Sequence, residues 1–187
     1  MVLKSVVVSG MPASGKSTVA RGLAERYRLR YLCGGDILKE MAVSRGYRPS
    51  GEDWWDTAEG MKFIEERKKS DRFDREVDER LIRLIEEGGV VVTSYTAPWL
   101  TDKGVKIWLK ASVESRAERM VSRDNIPLQE ALKIVQRRDE ENKDLYRKIY
   151  GFTVGEDLSV FNLVLDTDGI SKSGATDIVC YATRYFI

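Results

Sequence analysis

No histidine occurs among the 187 residues, which removes every mechanism built on an imidazole base, nucleophile or metal ligand. Cysteine is nearly as scarce. Cys33 and Cys180 lie far apart, match no metal spacing, and read as ordinary buried thiols of a reducing compartment. Charge of one sign is also missing: 31 basic residues against 30 acidic ones leave a net charge of +1. Nucleic-acid binding through a broad basic field is therefore not expected. No uncharged run approaches the ~20 apolar residues of a membrane span. The opening "MVLKSVVV" leaves no room for a secretion signal. Asparagine and glutamine together number five, beside 33% charged residues, a balance that leans toward a heat-adapted source. The expectation is one globular domain over residues 1–187, cytoplasmic and monomeric, with its core drawn from the 42% hydrophobic residues.

What is present begins with "VVVSGMPASGKST". A near-continuous apolar run from Leu3 to Val8 suits a strand buried on both faces of a parallel sheet. Residues Gly10 to Ser17 then fit G-x-x-x-x-G-K-[ST], and a helix opens at about Lys16 and runs to about Arg28. Small residues let consecutive N–H groups point inward, and the helix N-terminus adds its positive dipole end. Gly10, Met11, Pro12, Ala13, Ser14, Gly15, Lys16, Ser17 and Thr18 are thus expected to cradle the phosphates of ATP. The Lys16 ammonium would reach the β and γ oxygens, and the Ser17 hydroxyl would be a ligand for Mg²⁺.

Strands and helices alternate through the rest of the chain. Arg30 to Cys33, Val90 to Thr93, Val105 to Ser112 and Asn162 to Thr167 read as four further strands. Gly34 and Gly35 break the second strand before a helical "DILKEMAVSRG", and charged helix-period sequence fills Glu52 to Glu87. Helices are also expected over Val113 to about Arg123, Pro127 to about Tyr150, and Gly174 to Tyr185. The class is α/β, three layers around a five-stranded parallel sheet. The charge run from Glu65 to Arg80 reads as a solvated helix face, although the aspartates at 71, 74 and 78 share one side of it. Trp54 and Trp55 read as packing of those helices, with base stacking the alternative. Trp99 and Trp108 read as core residues.

A triphosphate site is not yet a function. The chain has no base-reading N-K-x-D, so a GTPase is not indicated. A small phosphotransferase needs an acceptor seat and a mobile, arginine-bearing lid. "SRAERMVSRDNIP" carries Arg116, Arg119 and Arg123 at helical spacing, and the next helix returns Arg137 and Arg138 beside the same short connection. A solvated amphipathic pair is the plainer alternative.

These motifs, together with "GGDILKE", "FDREVD", "IWLKASVESRAERMVSRD", "LYRKIYGF" and "LVLDT", resemble nucleoside monophosphate kinases, in particular archaeal-type cytidylate kinases. The resemblance covers nearly the whole chain. It implies a P-loop core (1–48 and 88–187), a small acceptor-binding insertion at about 36–88, a lid at about 116–140, and transfer of the γ-phosphoryl group of ATP to CMP or dCMP. The acceptor's phosphate oxygen would be the nucleophile, anionic at pH 7, so no general base is required. The resemblance assigns Lys16, Arg119, Arg123 and Arg138 to catalysis and Asp36, Lys39, Asp74, Arg75 and Tyr95 to the acceptor. It also exposes departures. Where related kinases end the third strand with an acidic residue and Gly-Arg, this chain has Thr93, Ser94 and Tyr95. Lys39 and Leu145 stand where the family tends to have arginine. Two other readings stay open: an ATP-binding sensor without turnover, favoured slightly by Thr93–Tyr95, and an RNA-associated ATPase, disfavoured by the near-zero charge. An AMP or UMP acceptor is a further alternative.

Overall fold

The computed structural model describes residues 4–50, 54, 57–68 and 70–187. Five strands, all paired in parallel, form one sheet: β1 (Val6–Gly10), β2 (Arg30–Cys33), β3 (Val90–Thr93), β4 (Val105–Lys110) and β5 (Leu163–Asp166). Their order is β2-β3-β1-β4-β5. The chain leaves β1 toward one side of the sheet and later returns to the other. The carboxyl end of β1 is therefore the switch point where open α/β sheets bind ligands.

Pleating decides which residue faces which layer. Val6 and Val8 point to one face, where α1 (Lys16–Tyr27) and α8 (Lys172–Thr183) bring Val19, Leu23, Ala175 and Val179 into a common cluster. Val7 and Val92 point to the other. There α2 (Gly34–Ser44), α3 (Ala58–Lys68) and α4 (Arg72–Glu87) contribute Ile37, Met41, Phe63, Val77 and Leu81. Both faces are covered, which explains the continuous valine runs. Trp54 belongs to this second cluster and is 1% exposed, so packing accounts for it. Trp55 lies outside the described residues.

A third cluster packs Trp108 with Tyr146, Ile149 and Val154, and Trp99 lies against it. It joins β4 to the end of the long helix α7 (Leu128–Tyr150), which runs against α6 (Val113–Asp124). The sequence expectations needed three adjustments. The helix after β2 starts at Gly34, because the Asp36 carboxylate accepts the Cys33 N–H at 3.0 Å and caps it. A short helix α5 (Ala97–Leu100), with Pro98 in its first turn, was not expected. Cys33 and Cys180 are free but only half-buried, not core thiols. Among the described residues no helix is long and apolar enough to cross a membrane.

Candidate active site

The loop from Gly10 to Gly15 is shaped by three residues at positive φ, one of which also sits at a close approach. Gly10 lies at φ +149°, and a Cβ there would meet Leu109 O at 2.4 Å and Ser14 Oγ at 2.6 Å. Ala13 and Gly15 take φ values of 62° and 95°. Gly15 opens α1 without a side-chain cap, and a Cβ added there would meet nothing within 4 Å. An uncapped helix N-terminus beside open space is a fitting seat for polyphosphate. Ser14 Oγ is buried without a partner among the described residues, another polar group left available at the loop.

Lys16 folds back over this loop. Its Nζ donates to Gly10 O at 2.8 Å and Met11 O at 2.9 Å, holding the place that phosphate oxygens would take. Burial, aided by the guanidinium charges of Arg138 and Arg116, lowers its pKa to about 7; Asp139 opposes them. The Tyr95 ring lies 4.6 Å from Nζ and packs against Tyr146.

Helix α6 separates its arginines by face. Arg116 is buried, its guanidinium bonded to both carboxylate oxygens of Asp139 at 2.8 and 2.6 Å and to Pro12 O at 3.2 Å. It ties α6, α7 and the phosphate loop together. Arg119 donates to Ser14 O at 3.3 Å and to Thr167 Oγ1 and O at 3.1 and 2.8 Å. Arg123, 61% exposed, pairs with its neighbour Asp124. Arg119 and Arg123 are therefore not an equivalent pair: one is fixed to the cleft wall and the other stands at its rim. Both line a cleft of about 280 Å³ with Gly15, Lys16, Ser17, Thr18, Ile170, Ser171 and Lys172.

None of the residues expected to take the acceptor lines that cleft. Asp74 is buried on α4. Arg75, on the exposed flank of the same helix, donates to Asp71 at 2.8 Å and to Ile149 O at 2.8 Å. Asp36 is exposed and caps its own helix, and Lys39 is half-buried a turn later. Tyr95 is the one of this set that the structure brings against Lys16. Leu145 packs in the apolar cluster around Trp108.

A family model described as the cytidylate kinase-like family matches residues 5–169. The chain belongs to that family. It is 36% identical over 182 residues to a cytidylate kinase of Methanocaldococcus jannaschii, covering 95% of this chain and 96% of that one. It is 37% identical over 178 residues to a cytidylate kinase of Pyrobaculum aerophilum, covering 92% and 89%. Among solved structures, a shikimate kinase from Acinetobacter baumannii matches with a TM-score of 0.59 at 16% identity, over 98% of this chain and 94% of that one. At that identity the likeness concerns the fold, which is that of P-loop kinases.

As a member of the cytidylate kinase-like family, the chain is a nucleoside monophosphate kinase and uses ATP. Several residues of the cleft beside the phosphate loop are not marked in the sequence: Thr167, Ile170, Ser171 and Lys172. The signal was available in the topology, since the turn after β5 must emerge on the same sheet edge as the loop after β1. Asp139 was also missed, because nothing in a charged helix marks the one carboxylate that faces a buried arginine. For Mg²⁺ the donor set is sparse. Among the described residues no group of three acidic side chains could hold a metal ion. The exposed Ser17 hydroxyl in the first turn of α1 fits a cation that takes its other ligands from phosphate and water.

Proposed function

We propose that this protein transfers the γ-phosphoryl group of ATP to CMP, with dCMP as a second acceptor, and that it does so as one kinase domain with an acceptor-binding insertion at about 36–88 and a lid at about 116–140. The observation that carries the reading is the uncapped, glycine-shaped loop with Lys16 folded over it, in a chain similar over nearly its whole length to cytidylate kinases. On this reading the loop amides and Lys16 hold the β and γ phosphates, Ser17 holds Mg²⁺, and Arg119 closes the donor cleft against Thr167. Mg²⁺ supplies charge neutralisation on the phosphates when bound. Arg123 and Arg138 place positive charge over the transferring group, and closure of α6 and α7 excludes water. The acceptor enters between α2, α4 and Tyr95, with Asp36, Lys39, Asp74 and Arg75 on that side and Asp74 the group suited to an exocyclic amine. The acceptor oxygen is already anionic, so a histidine-free chain suffices. The protein works on small nucleotides as a cytoplasmic monomer.

A coupled assay of ADP formation with CMP, dCMP, UMP, AMP and GMP side by side tests this. ADP formation is expected only with an acceptor, and fastest with CMP or dCMP. Equal rates with no acceptor would mean an ATPase, and no ADP in any arm a sensor.

A further inference from the structure

Asp78, one turn beyond Asp74 on α4, is 6% exposed. One carboxylate oxygen accepts the Thr96 hydroxyl at 2.6 Å, and the other accepts the Tyr150 hydroxyl at 2.7 Å. Each partner leads to a different part of the site. Thr96 belongs to the turn after β3, where Ser94 Oγ accepts the amides of Thr96 and Ala97 at 3.2 and 3.0 Å. The Ser94 N–H in turn reaches Val8 O on β1 at 3.3 Å. Between Ser94 and Thr96 stands Tyr95, whose ring lies against Lys16. Tyr150 closes α7, the helix that carries Arg138 and Asp139. Arg75 grips the same end, donating to Ile149 O and lying 5.3 Å from the Tyr150 ring. The Tyr150 hydroxyl is held far above its ordinary pKa, first by burial and then by Asp78, so it stays a donor throughout the working pH range.

We propose that Asp78 is a positioning residue for the acceptor: through Thr96 it sets the Ser94–Tyr95–Thr96 turn against the phosphate loop, and through Tyr150 it registers the acceptor-side helix α4 with the returning helix α7. Apolar side chains in place of all three groups would fill this buried space at little cost, so stability alone does not call for a carboxylate here. A carboxylate that receives two hydroxyls fixes the relative placement of three elements, and the acceptor phosphate is seated where they meet. The inference rests on the reading that a nucleoside monophosphate binds on this face.

Steady-state kinetics on Asp78→Asn and Tyr150→Phe, varying CMP and ATP separately, test it. Tyr150→Phe removes one oxygen and keeps the ring under Arg75, so it folds. In both variants KM for CMP is expected to rise at least fivefold while KM for ATP stays within twofold. In the double variant the effects of Asp78→Asn and Tyr150→Phe should come to less than their sum, because Tyr150 acts through Asp78. Thr96→Ser keeps the donor and should keep the parent KM for CMP, whereas Thr96→Val should raise it. A loss of stability by itself would lower the active fraction and leave KM unchanged. A rise of less than fivefold in KM for CMP, or an equal rise for ATP, overturns the role. A parent protein that phosphorylates no monophosphate would instead overturn the function proposed above, and this inference with it.

Discussion

Burial and the charges of Arg138 and Arg116 hold Lys16 near pH 7, against 10.5 for a free lysine. Between those values the unfolded chain binds more protons than the folded one, so this group makes the free protein more stable as pH rises from 7 to 10.5. A triphosphate reverses the balance, because its negative charge restores the ammonium. Calorimetry of ATP binding at pH 8, in buffers of different ionisation enthalpy, should therefore show proton uptake by the parent that is lost in Lys16→Met. Equal uptake by both proteins would place the proton elsewhere. Lys16→Ala should leave less than about a tenth of the parent kcat with the fold intact, since the side chain bonds loop carbonyls and packs on one ring. Tyr95 is one of the positions where the resemblance to monophosphate kinases implies an arginine that this chain lacks. No arginine occurs between Arg83 and Arg116, so the end of β3 offers no guanidinium to an acceptor phosphate. Hydroxyl groups bind phosphate about half as strongly as charged donors. Titration of CMP into Tyr95→Arg should show tighter binding than in the parent; unchanged or weaker binding would mean that this position does not meet the phosphate.

At the scale of elements, α6 does two separable things. Its Arg116 side is structural: with the guanidinium 4% exposed, Asp139→Ala leaves a buried charge unpaired and should cost about 3–5 kcal/mol in denaturant unfolding. Its Arg119 side shapes the cleft beside Lys16, the proposed donor site. Arg119→Ala should raise KM for ATP, whereas Arg123→Ala should lower kcat by roughly 10²-fold with little change in ATP binding. The opposite pattern would exchange the two assignments. This division is not legible in the sequence, where the three arginines differ only by spacing. The elements themselves are legible, because valine runs buried on two faces and amphipathic helices leave periodic traces. So is the phosphate loop, whose glycines are demanded by local backbone geometry. Contacts between distant segments leave no such trace. Asp78 meets Tyr150 across 72 positions, and Arg116 meets Asp139 across 23. The turn after β3 has no helical periodicity; Ser94 Oγ, accepting the Thr96 and Ala97 amides, and Pro98 in the first turn start α5 there.

For the whole molecule, the sheet order brings the loops after β1, β3, β4 and β5 to one edge. These loops carry Lys16, Tyr95, the start of α6 and Thr167, so the cleft and the Tyr95 turn both meet one lysine, as the proposed donor and acceptor sides require. Such an arrangement suits direct transfer between two bound nucleotides and needs no covalent intermediate on the protein. Following the label from γ-³²P-ATP in the presence of CMP tests that claim most directly. The label is expected in CDP, in step with ADP, and with Lys16→Ala it is expected there at less than about a tenth of the parent rate. Label released only as inorganic phosphate, at a rate indifferent to CMP, would contradict it.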